Sequence, residues 1–134
     1  MGLIEAPQAQ LLLNADCAQP LILAGANATV ALYARPCPGK ALNEDCLAAS
    51  ALAPGKWVFV LADGVGGAAR GADASRLAVQ ALQQQLAHWQ PSQSDDQTDN
   101  NSLRPLILDA FEQANRQVSA LAVGAACTMV VAEV

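Results

Sequence analysis

The chain has 134 residues, room for one ordinary domain and little more. Hydrophobic residues make up 53% and charged residues 14%, which excludes a disordered or fibrous protein, and the 4% aromatic share beside abundant alanine points to a closely packed helix-on-sheet core. A net charge of −5 with seven Lys and Arg leaves no basic stripe to neutralise a phosphate backbone, so nucleic acid is not an expected partner.

No basic n-region opens the chain, and Glu5 precedes any long apolar run, so no signal peptide is read here. The apolar runs fall well short of the ~20 residues that cross a bilayer. A cytoplasmic protein with no membrane partner is expected. Cys17, Cys37, Cys46 and Cys127 make no C-x-x-C pair, and His88 is the single histidine. A structural zinc site therefore has no support, and the cysteines read as small reduced thiols.

Residues 1–26 read as an irregular segment, their short leucine runs broken by Pro7, Pro20 and Gly25. Residues 27–35, NATVALYAR, favour a strand, and PCPGK over 36–40 must turn. Residues 45–52 and 57–62 are two further extended runs, joined by the hairpin chemistry of APGK. The second, WVFVLA, is continuously apolar, as in a strand covered on both faces. From Ala72 to Trp89 the period changes: Leu77, Ala78, Ala81, Leu82 and Leu86 form one helical stripe. A polar loop over 90–101 follows. Leu103, Leu106, Ile107, Ala110, Phe111, Ala114, Val118 and Leu121 then trace a second helix, with Ser102 as its N-cap and Pro105 in the first turn. CTMVVAEV, 127–134, reads as a last strand. The order predicts an α+β fold, helices on one face of an antiparallel sheet.

Chemistry concentrates in LADGVGGAARGADAS, 61–75. Asp63 sits where a buried strand emerges, followed by Gly64, Gly66 and Gly67. A carboxylate held at a strand end, beside backbone carbonyls that glycine leaves approachable, suits a hard divalent cation. An Asp-Gly turn with no ligand is the alternative. GVGGAA also fits a relaxed dinucleotide-binding pattern, but Asp63 would face the pyrophosphate, and the acid expected about 20 positions on is missing. Upstream, KALNED places Glu44 and Asp45 at the start of the strand that pairs with 57–62. An antiparallel hairpin brings Asp45 and Asp63 to one sheet end, and such a carboxylate pair calls for a cation. Two solvated acids are the plain alternative.

Asn43, Glu44 and Asp45, then FVLADGVGG over 59–67, then Gly71, Ala74 and Ser75, resemble in order and spacing the motifs of the protein phosphatase 2C (PPM-type) family. AFEQANRQV over 110–118 and GAACTMVVAEV over 124–134 resemble the helix and strand that follow in that family. The resemblance divides the chain into 1–26, an irregular N-terminal segment, and 27–134, the N-terminal part of a PPM-type domain truncated at its C-terminal end. It implies the first half of an α-β-β-α sandwich whose sheet has an uncovered apolar face, with Trp57 to Ala62 exposed to self-association.

The resemblance also implies hydrolysis of phosphoserine and phosphothreonine in proteins, with two Mn²⁺ or Mg²⁺ ions activating water and no nucleophilic side chain. The substrate would be a phosphorylated protein from a Ser/Thr kinase pathway. By resemblance Asp63 bridges the ions, Gly64 lends its carbonyl, and Glu44 and Asp45 act through water or at an outer site. Lys40 stands at the phosphate-binding position usually held by Arg, and Arg35 is a nearby substitute. The family's later carboxylates have no counterpart in these residues, so the chain alone is expected to be inactive. A catalytically dead phosphatase-like domain that binds proteins is the alternative function. Cys46, beside Asp45 but without a basic loop, does not suggest a cysteine phosphatase.

Overall fold

A computed structural model describes residues 8–65, 69–91, 103–121 and 124–134. Eight elements follow in order: β1 (Gln8–Leu13), β2 (Leu21–Ala24), β3 (Thr29–Leu32), β4 (Asp45–Ala53), β5 (Lys56–Val65), α1 (Ala69–Leu86), α2 (Arg104–Ser119) and β6 (Ala126–Glu133). β1, β4, β5 and β6 form one four-stranded sheet in the order β1-β4-β5-β6, antiparallel throughout. β2 and β3 form a separate two-stranded sheet. Antiparallel sheets with two helices make this an α+β fold, consistent with part of an α-β sandwich.

The sheet is sorted by its pleat. On β4 and β5, Cys46, Ala48, Val58, Val60 and Ala62 are buried toward the helices, where they meet Ala78, Val79, Ala81, Leu82 and Leu86. α1 lies across β4, β5 and β6, and α2 packs on α1 and meets the sheet chiefly at β6. Ala48, Ala62, Ala74, Ala78 and Ala81 are essentially inaccessible. Small side chains thus hold helix and sheet backbones close, which is where the alanine-rich composition goes. Across this layer Ser50 donates to the Gln83 side-chain oxygen at 3.0 Å.

Several expectations need correction. Within the segment read as irregular, 8–13 and 21–24 are strands. β1 lacks alternation because it is used on both faces: Leu11 and Leu13 pack into the helix-side core and Leu12 against the opposite cluster. The strand expected over 27–35 is ordered as strand only over 29–32 and pairs with β2. β5 runs to Val65, so Asp63 and Gly64 lie inside its ladder, opposite Thr128 and Cys127, and not beyond its end. That β5 and β6 are antiparallel also removes the dinucleotide reading, whose glycine loop belongs to a parallel βαβ unit.

Nor is β5 covered along its whole second face. Trp57 and Phe59 are packed there with Leu21, Leu23, Val30 and Leu32 of the small sheet, while Leu61 is 50% exposed. Beyond that cover lies an open apolar groove of about 400 Å³ lined by Ala31, Tyr33, Leu47, Phe59, Leu61 and Val130. α1 begins three residues before the expected stripe and ends at Leu86, with Trp89 buried just past it. In α2, Leu103, Ala110, Ala114 and Val118 are buried as the stripe predicts, but Phe111 is exposed on the outer side. Ser102, the expected cap, lies outside the described residues; Leu103 occupies the cap position with no side-chain hydrogen bond. Among the described residues no helix is long and apolar enough to cross a membrane.

Leu82, fully buried at the α1–sheet contact, and Leu108, 53% exposed on α2, separate core from surface. Leu82→Ala is expected to cost about 2–5 kcal/mol in urea unfolding, and Leu108→Ala no more than about 0.5 kcal/mol. Equal losses would contradict the burial assigned to α1.

Candidate functional site

The hairpin register places Asp45 directly opposite Asp63. Both belong to the pleat that faces away from α1, since their neighbours Cys46 and Ala62 point into the helix-side core. Thr128 of β6 continues the row. The next row on the same face is Leu47, Leu61 and Val130. The acids therefore border the open apolar surface.

Like charges directly opposite on an antiparallel pair repel. The Asp45 carboxyl is raised above its ordinary 3.8, first by partial burial, then by hydrogen bonding and repulsion from Asp63 and by Glu44, while Lys40 pulls the other way. Such a pair favours either a shared proton or a cation.

Glu44, one residue earlier in the chain, faces elsewhere. Its Oε2 accepts from Lys40 Nζ at 3.1 Å, and its Oε1 lies 3.2 Å from where a Cβ on Gly71 would sit. The structure thus joins Asp45 to Asp63 and Glu44 to Lys40, and does not bring all four side chains to one point. Lys40 is half-exposed, and its ammonium is stabilised in the charged form by Glu44. Arg35 is exposed and engaged with Asp16 at 3.1 Å, which with Tyr33 stabilises its charge. Gly66 and Gly67 lie outside the described residues. Among the described residues, no group of three or more His, Cys, Asp or Glu side chains is arranged to hold a metal ion.

The backbone around the acids is fixed from three directions. Gly64 N–H donates to the Glu44 carbonyl at 3.1 Å. A Cβ on Gly64 would stand 2.1 Å from the Gly71 carbonyl oxygen and 2.7 Å from that of Glu44, so β5 and the start of α1 touch backbone to backbone there. The buried Ser75 hydroxyl donates to the Glu44 carbonyl at 2.6 Å, with the Ala72 carbonyl at 3.1 Å and Cys46 Sγ at 3.3 Å. Burial pushes the Cys46 thiol up, which keeps it protonated and inert. Buried Asn43 accepts from the Asp45 N–H at 3.0 Å, an Asx turn that shapes the acidic element, and donates to the Ala15 carbonyl at 2.7 Å.

Sequence reasoning missed Asn14. It sits just past β1 and is bonded to Asn43, Ala72 and Arg76. The local cue was an asparagine directly after an apolar run, a residue that tolerates left-handed backbone, and nothing nearby indicates its distant partners.

Residues 39–133 match the family model for protein phosphatase 2C. No curated protein and no solved structure matches the chain. β1, β2 and β3 all precede the matched stretch.

A carboxyl whose folded value is raised holds its proton more tightly in the folded chain. The stability it contributes is fully present below about pH 3.8 and is lost as pH rises through the raised value. In chelator, Asp45→Asn is therefore expected to flatten the decline of stability over the pH range just above 3.8, and to leave the variant more stable than wild type at neutral pH. Denaturant midpoints across that range check this; parallel wild-type and variant curves would show that the pair carries no repulsion.

Proposed function

Because the chain belongs to the protein phosphatase 2C family, we propose that it contributes the Asp45–Asp63 end of a metal-dependent centre that hydrolyses phosphoserine and phosphothreonine in proteins. The observation that carries this reading is the pairing of those two aspartates across the hairpin, inside the stretch that matches the family. Oxygen donors suit Mn²⁺ or Mg²⁺, and a cation would offset the repulsion between two carboxylates held opposite each other, the Asp45 carboxyl being raised first by burial and then by Asp63. The donor set fits such an ion in kind. Bound divalent ions supply Lewis acidity that activates water and offsets phosphoryl charge.

Within that scheme the chain's own residues have separable tasks. Asp63, the more exposed of the pair, is the principal ligand, and Asp45 supplies the second carboxylate. Gly64 has no side chain because α1 occupies that space, and its carbonyl is the third oxygen in this assignment. Glu44 acts at one remove, through water or at an outer position. Lys40, half-exposed beside Glu44, would offer a cation for the substrate phosphate. Lys provides a point charge without the fork of an arginine, so its hold on phosphate is looser. No side chain serves as nucleophile.

Two carboxylates leave most of an ion's coordination to water, so the 134-residue chain by itself is proposed to turn over an aryl phosphate only feebly. The lack of a three-acid group among the described residues also favours a second reading, a phosphatase-like module that binds phosphoproteins without hydrolysing them.

Calorimetric titration with Mn²⁺ separates these. Wild type is expected to bind Mn²⁺ weakly but measurably, and Asp63→Asn to lose that binding. Identical titrations for the two would remove the metal assignment and leave the binding module. In the Mn²⁺-loaded chain, Lys40→Ala should weaken inorganic phosphate binding by about tenfold and Lys40→Arg should restore it. Unchanged phosphate affinity in Lys40→Ala would place the phosphate cation elsewhere.

A further inference from the structure

Asn14 is the single non-glycine residue with positive φ among the described residues, at 50°. Asparagine accepts that conformation more readily than most residues, so the backbone there is tolerated but not free. Its N–H donates to the Asp45 carbonyl at 3.2 Å, extending the β1–β4 ladder by one step.

The side chain is used to capacity. Nδ2 donates to the Asn43 carbonyl at 3.0 Å and to the Ala72 carbonyl at 3.2 Å. Oδ1 accepts from Arg76 Nε at 3.1 Å and from Arg76 Nη2 at 2.9 Å. An amide has two donors and two acceptor lone pairs, and all four are taken. Arg76 is held in turn by Asp73 at 3.2 Å. Asn43 returns the contact by donating to the Ala15 carbonyl, and its own oxygen accepts the Asp45 N–H. One side chain from outside the family-matched stretch thus ties the acidic element to the first turns of α1.

We infer that Asn14 is a positioning residue for the Asp45–Asp63 pair, fixing the 43–45 backbone against α1 so that the Asp45 carboxylate stays opposite Asp63. This rests on the reading of the two aspartates as metal ligands. Its physical content is separate from that reading: without the Asn14 amide, Asn43 loses the donor to its carbonyl, and the Asx turn that sets Asp45 loosens. A residue that merely adds stability would slow unfolding everywhere alike. A positioning residue acts locally on Asp45.

Two variants isolate the side chain. Asn14→Gly keeps the left-handed backbone accessible and removes all four side-chain hydrogen bonds. Asn14→Asp keeps the shape and the acceptor for Arg76 but loses both donors, and so remains informative if Asn14→Gly does not fold. Hydrogen exchange followed by NMR on the full chain in chelator is expected to show the Asp45 amide exchanging at least about tenfold faster in either variant. The Val60 amide, in the core of β5, should change only with global stability. Mn²⁺ affinity should fall by about 10- to 100-fold, the range for groups that orient metal ligands, while Leu52→Ala, a core change away from the acids, leaves it within about twofold.

Unchanged relative protection of Asp45 in the folded variants would overturn the inference, as would unaltered Mn²⁺ affinity where wild type binds and Asp63→Asn does not. If wild type binds no Mn²⁺, the metal reading fails by itself, and the Asp45 exchange rate alone decides whether Asn14 positions the acidic element.

Discussion

Where β5 runs into α1, two backbones meet with no side chain between them. Gly64 and Gly71 make this approach possible, and the Glu44 carbonyl is drawn into the same joint by the Gly64 N–H and the Ser75 hydroxyl. The contact fixes three things at once: the end of β5, the start of β4, and the origin of the helix that covers the sheet. A side chain at Gly64 would have to displace the Gly71 carbonyl, a backbone atom that cannot swing aside as a flexible side chain can. The small-residue core follows from the same constraint, because a helix that starts in backbone contact with a strand stays close to the sheet over its next turns. Ala74, Ala78 and Ala81 on α1 and Ala48 and Ala62 beneath it fit that spacing.

That joint also sets up an electrostatic tension. Holding the ends of β4 and β5 in register puts Asp45 opposite Asp63, where relaxed loops would let the two carboxylates separate. Lys40 lies within reach but spends its charge on Glu44, and it lowers the Asp45 carboxyl only as the weakest of several influences. Repulsion retained by a rigid frame is what a cation site needs, since the free energy released when the charge is neutralised goes into binding.

Much of this was legible because it is local. APGK and the flanking apolar runs gave the hairpin, and the hairpin gave the convergence of Asp45 and Asp63 with no knowledge of the sheet. The stripes at helical spacing gave both helices to within a few residues. What escaped depended on partners distant in sequence. β1 shows no alternation because Leu11, Leu12 and Leu13 are divided between two clusters, and a strand used on both faces has no period to read. The extension of β5 through Asp63 and Gly64 is imposed by β6 across the ladder, against the usual meaning of an Asp-Gly step. Asn14 joins groups 29 and 58 residues away, a relation that no window of sequence contains.

The two faces of the sheet have different physical characters, and the acids lie on the less settled one. Toward α1 the layer is closed and rich in small residues. On the other face the β2–β3 sheet covers the Trp57 end, where Trp57 and Phe59 stack with ring centroids 6.0 Å apart. The cover stops short of Leu61 and Val130, which are 50% and 62% exposed. Asp45 and Asp63 occupy the row immediately beyond. A carboxylate pair bordered by apolar surface is less well hydrated than one in open solvent, and burial already raises the Asp45 carboxyl more than any neighbouring charge does. Any layer laid over Leu61 and Val130 would remove more water from the pair, deepen its repulsion and strengthen its demand for a cation. Coverage of the apolar rows and the repulsion within the acidic row are therefore coupled through the dielectric they share.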